Sequence, residues 1–211
     1  MDLICYKCEN KEAGPATGLL TFLRHGRTGM NEKDIVIGSI NDPLSDTGRK
    51  QAQSVAENLK EETGNYEFII SSPLSRAKET SAIIAETLDL EIFTDSRARE
   101  RCVGEYEGKP DSPELLNKFL CEELPAPSAE PLSAFKQRVL EFLGEIIQKH
   151  SQRKLLVVTH TLPLIAIIGE IKGIKLEEAA KYKPDNCVPL RFYLKEKCSR
   201  CGSLFFEGVS K

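Results

Sequence analysis

The sequence contains no apolar run long enough to span a bilayer, and its N-terminus lacks the basic segment and apolar stretch of a secretory signal. A soluble, cytoplasmic protein with no membrane partner is therefore expected. It also lacks a surplus of basic charge: 29 lysines and arginines stand against 32 aspartates and glutamates, a formal net charge of -3. Without a global positive field, nucleic acid is not an expected partner, and any phosphate must be met by a few placed arginines. Histidine is scarce, with three in 211 residues, and no internal repeat or low-complexity tract is present. What remains is ordinary globular composition, 40% hydrophobic and 29% charged, in a chain long enough to bury one sizeable core.

Short apolar runs alternate with amphipathic stretches. Gly18 to Leu23 reads as a buried strand ending at Arg24-His25-Gly26, and Ser45 or Thr47 can cap a helix carrying Ala52, Val55, Ala56 and Leu59 and ending near Gly64. Phe68-Ile69-Ile70 is a second strand; Ser72 followed by Pro73 then predicts a helix start, with Arg76 in its first turn and an end near Leu88. Leu90 to Thr94 reads as a third strand, with Glu100 on the loop beyond. Asp111 to Pro131, broken by prolines, reads as a lid or excursion rather than core. A helix from Leu132 to His150 leads to the apolar strand Leu155 to Thr159, Pro163 opens a helix through Ile171, and Val188 to Phe206 holds two strands. The order predicts an α/β fold: a three-layer sandwich whose mostly parallel central sheet is flanked by helices.

His25 and His160 each directly follow a predicted buried strand, where ligands gather in open α/β sheets, so the two are placed to share one site. His150, at a helix end, reads instead as a partner of the helix dipole. Arg24 beside His25 and Arg76 after a helix start add guanidinium groups, whose planar fork matches phosphate oxygens. Two arginines converging with a histidine point to a phosphoryl site.

Leu23-Arg24-His25-Gly26-Arg27-Thr28 with Asn31 resembles the Arg-His-Gly signature of the histidine phosphatase (phosphoglycerate mutase-like) superfamily. Further blocks resemble that family in order: Asp42 to Gly48 with Gln51-Ala52, Ser71 to Thr80, Arg99-Glu100 with Gly104 and Glu107-Gly108, and Val158-Thr159-His160. The resemblance implies catalysis without a cofactor: His25 attacks phosphorus, Arg24, Arg76 and His160 bind the phosphoryl oxygens, and Glu100 protonates the leaving oxygen and then activates water. It also implies that Thr28, Asn31, Gly38 and Thr161 help bind the substrate. Two departures stand out: Thr161-Leu162-Pro163 follows the second histidine where the family usually has glycine and soon an arginine, and Arg27 stands where Glu or Gln is common.

Phosphoglycerate mutases of that family carry a longer segment between the acidic block and the second histidine. Only Arg101 to Thr159 is available here, which favours a phosphatase of a small phosphorylated metabolite, a histidine acid-type phosphatase, over a mutase or a catalytically idle interaction protein. Neither the particular substrate nor the oligomeric state is legible.

Seven cysteines in a chain without an export signal are expected to be thiols or metal ligands rather than disulfides. The pairs Cys5-x-x-Cys8 and Cys198-x-x-Cys201 have the gap with which adjacent thiolates grip one ion, so a structural zinc closed by all four is expected, with free thiols or two redox pairs as alternatives. Residues 1–211 then form a single domain, with 1–14 and 195–211 as a zinc-knuckle appendage.

Overall fold

The structure is a computed structural model describing residues 16–62, 66–121, 124, 128–197 and 204–207. In chain order the elements are β1 (Ala16–Arg24), α1 (Gly29–Glu32), α2 (Asp46–Glu62), β2 (Phe68–Ser71), α3 (Ser75–Leu88), β3 (Glu91–Thr94) and α4 (Pro113–Cys121). They continue with α5 (Leu132–His150), β4 (Lys154–Thr159), α6 (Thr161–Lys172), α7 (Leu176–Ala179), β5 (Leu190–Lys197) and β6 (Leu204–Glu207). Among the described residues one sheet forms, in the order β3-β2-β4-β1-β5-β6. The first four of these strands run parallel, and β5 and β6 add an antiparallel edge.

Alternation along the central strands divides the core in two. Leu20 and Phe22 of β1 and Leu155 and Val157 of β4 pack against α5 and α6, while Leu19, Leu23, Leu156 and Val158 pack against α2 and α3. Both faces of β4 are therefore covered, which is why its sequence is a continuous apolar run rather than an alternating one. Local signals set most boundaries. The Ser45 hydroxyl accepts the Gly48 amide at 3.1 Å at the start of α2, and Gly173, at φ 63°, closes α6 with its amide on the carbonyls of Gly169 and Glu170.

Three expectations change. The helix after β2 begins at Ser75, not at Pro73: Leu74 keeps an extended backbone at the cap position, and the Ser72 hydroxyl, 2.6 Å from His160 Nε2, also accepts the Leu74 amide at 3.3 Å. The Asp111 to Pro131 stretch holds α4, whose Phe119 and Leu120 are buried in the core beside α5, so it is an excursion only in part. His150 ends α5 as predicted, but its ring packs edge-on against Phe68, and burial together with Arg153 and Lys149 pushes its pKa down. Its place in the last turn of α5 still suits the dipole, with less of the charged form than a free imidazole has.

Among the described residues no helix is long and apolar enough to cross a membrane, and no three His, Cys, Asp or Glu side chains gather to hold a metal ion. Cys5, Cys8, Cys198 and Cys201 lie outside the described residues.

Candidate active site

The strands β1 and β4 are parallel neighbours, yet the helix after β1 lies on one face of the sheet and the helix after β4 on the other. The chain diverges at their carboxyl ends, which opens a crevice there. His25 follows β1 and His160 follows β4, so the crevice receives both rings, with centroids 5.0 Å apart. A cleft of about 550 Å³, including its open mouth, is lined by Arg24, His25, Asn31, Gly38, Arg76, Glu100 and Thr161 among others.

The partners of His25 fix its tautomer. Nδ1 lies 2.8 Å from the Gly26 carbonyl oxygen, which can only accept, so Nδ1 carries the proton. Nε2 lies 3.1 Å from Arg76 Nε, which can only donate, so Nε2 holds the lone pair. Burial, reinforced by the charges of Arg76 and Arg24, holds the ring's pKa well below 6.5. The result is a neutral imidazole presenting a nucleophilic nitrogen. Around it, the Gly26 amide donates to Thr80 Oγ1 at 3.0 Å and Asn186 Nδ2 donates to the His25 carbonyl at 2.7 Å.

Arg76 is almost wholly buried in the first turn of α3, with Nη1 on the Ile40 carbonyl and Nη2 on the Gly38 carbonyl, both at 2.8 Å. Desolvation pushes its pKa down to about 10, so it stays cationic at neutral pH. His160 is also buried and held neutral, first by desolvation and then by Arg76 and His25; its Nε2 lies 2.6 Å from Ser72 Oγ. Three buried polar atoms here have no hydrogen-bond partner among the described residues: Arg24 Nε, Asn31 Oδ1 and His160 Nδ1. Leaving such groups unmet costs ~1–3 kcal/mol each, so their convergence marks a site built for a polar ligand.

Glu100 supplies the opposite chemistry. Burial raises its pKa above the usual 4.5, against the lowering effects of the Arg101 amide, Arg76, the Leu162 amide and Arg138. Its Oε1 accepts the Arg101 amide at 2.9 Å and its Oε2 the Leu162 amide at 3.4 Å, at the N-terminal turn of α6. A buried carboxyl whose pKa is pushed up faces the same cleft as a histidine whose pKa is pushed down. Such a pair, pushed apart by environment, suits an acid and a nucleophile.

Of the residues expected to bind substrate, Arg24, Asn31, Gly38, Arg76 and Thr161 line the cleft. Thr28 is elsewhere: it is fully buried, and its hydroxyl caps α1 by accepting the Asn31 amide at 3.2 Å. Arg27 is exposed and engages Gln51 through its amide. Sequence reasoning missed Ser72, Thr80, Asn186 and the buried pair Arg138 and Glu130. Each acts across a separation in the chain that no local pattern encodes.

The model of the Histidine phosphatase superfamily (branch 1) matches residues 20–203. An uncharacterized phosphatase of Bacillus subtilis is 33% identical over 152 residues, covering 72% of this chain and 76% of its own. A phosphoglycerate mutase of Schizosaccharomyces pombe is 27% identical over 197 residues, covering 87% and 92%. Among solved structures, a phosphoserine phosphatase of Entamoeba histolytica in complex with 3-phosphoglyceric acid superimposes with a TM-score of 0.73 at 23% identity, over 92% of this chain and 97% of that one.

Proposed function

Because the chain belongs to the histidine phosphatase superfamily (branch 1), with its phosphomonoesterase and phosphotransferase chemistry on small phosphorylated metabolites, we propose that it hydrolyses phosphomonoesters through a phosphohistidine at His25. The observation that carries this reading is the pair of contacts that put the proton on His25 Nδ1 and leave Nε2 unprotonated at the cleft, its lone pair held by the Arg76 Nε–H. As substrate enters, Arg76 turns its Nε–H from the ring to a phosphoryl oxygen, which frees the lone pair, and Arg24, Asn31 and His160 also bind the phosphoryl oxygens. In the first step Nε2 then forms a bond to phosphorus as the ester P–O bond breaks, and Glu100 gives its proton to the departing oxygen. In the second step Glu100 takes a proton from water, the water oxygen bonds phosphorus, and the N–P bond returns its electrons to Nε2. Transfer to water rather than to a second substrate is favoured because the segment between Glu100 and His160 is short: α5 and β4 take up much of it, and α4 lines the cleft through Leu116 and Phe119, leaving little further chain to enclose a second substrate. His25→Ala should abolish turnover while leaving the fold intact, and an alkaline quench of wild type with labelled substrate should trap acid-labile phosphate on His25. A variant with near wild-type rate would end this reading.

The sheet register supports the structural zinc. Ala16 at the start of β1 pairs with Lys195 near the end of β5, and β6 returns antiparallel with Lys197 opposite Leu204. The described strand ends nearest in sequence to Cys5 and Cys8 and to Cys198 and Cys201, Ala16 of β1 and Lys197 of β5, thus lie at the same end of the sheet, away from the cleft. Within the single domain 1–211, a closed Cys₄ site would tie these segments together without joining the chemistry. Protein purified without chelators should contain close to one zinc per chain; absence of zinc with four freely titratable thiols would refute the site.

A further inference from the structure

Behind the cleft, on α5, Arg138 is buried, and all five of its guanidinium N–H groups are used. Nε and Nη2 form a two-point contact with the Glu130 carboxylate, both bonds 2.6 Å, and Nη2 also reaches the Glu100 carbonyl at 3.1 Å. Nη1 donates to the carbonyls of Arg97 at 2.7 Å and Arg99 at 2.8 Å. Three of the four backbone carbonyls from Arg97 to Glu100 therefore converge on one side chain, and the fourth, Ala98, accepts the Thr159 hydroxyl at 2.6 Å. Glu130 is fastened in turn, accepting Arg99 Nη2 on its carboxylate and Arg101 Nε on its carbonyl, with its own amide on the Cys102 carbonyl.

We propose that Arg138, locked by Glu130, is a positioning residue that sets the path of the 97–101 loop and thereby aims the Glu100 carboxyl at the leaving-group oxygen. Arg138 does not line the cleft, so its effect passes through Glu100; the inference rests on Glu100 being the general acid. The planar fork is essential, because four carbonyl and carboxylate groups in fixed directions can be met together by a guanidinium but not by the compact ammonium of lysine. The loop begins in a single 3-10 turn, Ser96–Ala98, and pairs in no strand ladder; its other ties are single contacts such as the Thr159 hydroxyl of β4 on the Ala98 carbonyl and Arg101 on the Phe119 carbonyl of α4.

The test separates positioning from mere structural support through the leaving group. In single-turnover experiments that read phosphorylation of His25, Arg138→Lys should slow an alkyl phosphate by about 10²-fold, the scale of loss when a reacting group is misplaced by an ångström. The same step with p-nitrophenyl phosphate, whose leaving oxygen needs no proton, should stay close to wild type. Added to Glu100→Gln, the same change should cause no further loss on the alkyl phosphate, since the group it aims is already gone. Equal losses on both substrates, or additive losses in the double variant, would overturn the proposal. Where Arg138→Lys fails to fold, Glu130→Gln loosens the same clamp and must show the same leaving-group dependence, in smaller amplitude, for the inference to stand. If Glu100→Gln itself costs both substrates equally, the acid role falls and the positioning role falls with it; if Glu100→Gln discriminates and Arg138→Lys does not, only the positioning role is lost.

Discussion

Glu100→Gln should make the protein more stable and less active at once. The wild-type carboxyl ionises at a higher pH when folded than its ordinary 4.5, because burial outweighs the amides and arginines around it. Below about pH 4.5 it is neutral in the folded and unfolded chain alike and withholds nothing. As pH rises through the folded pKa, the native state must carry a buried charge that the unfolded chain carries in water, so stability falls. Each unit of elevation amounts to about 1.4 kcal/mol withheld at neutral pH. Glutamine has the same shape, can still accept the Arg101 amide, and has no charge to bury. Urea unfolding should show the variant more stable than wild type at pH 7, with the difference disappearing near pH 4. Activity moves the other way: a general acid contributes ~10²–10⁴-fold, but only where the departing oxygen needs its proton. An alkyl phosphate should lose that factor, and p-nitrophenyl phosphate far less, in single-turnover experiments. A variant that is less stable than wild type at pH 7, or that slows both substrates equally, would refute the reasoning.

The two cleft histidines should also govern the acid side of the pH profile. Since His25 and His160 are both held neutral well below 6.5, kcat/KM should persist below pH 6.5, and stability should be level above 6.5 and decline beneath it, as the unfolded chain takes up protons that the folded rings refuse; a rate that collapses at 6.5 would contradict a buried neutral nucleophile. Gly48→Ala should impair both fold and site, because a Cβ at 48 would fall on the Arg27 carbonyl oxygen, while a Cβ at Gly26 would lie 2.5 Å from the Gly48 carbonyl oxygen. Forcing α2 away from the loop after β1 should cost ~1–3 kcal/mol in chemical unfolding and reduce turnover with it, and an unaltered melting curve would show that the two glycines are not in required contact.

The sequence by itself determined the layers and the chemistry's cast. The short apolar runs of β1 and β4 and the helical spacing of α2 and α5 are local patterns, which survive whatever the tertiary context. The placement of His25 and His160 after strands was legible for the same reason, since strand ends in such a sheet are where a crevice opens. Tertiary structure decided what depends on partners far along the chain. Ser72 looks like the cap of a helix opening at Pro73, but the helix begins at Ser75 and the Ser72 hydroxyl meets His160, 88 residues away. Thr28 looks like a phosphate ligand until its hydroxyl turns to cap α1. The tautomer of His25 follows from Arg76, 51 residues away, together with the neighbouring Gly26 carbonyl, and the saturation of Arg138 follows from carbonyls about 40 residues distant. Hydrogen-bond direction and desolvation are properties of the folded interior, and these turn a scarce residue type at a strand end into a neutral imidazole across the cleft from a carboxyl whose pKa is raised.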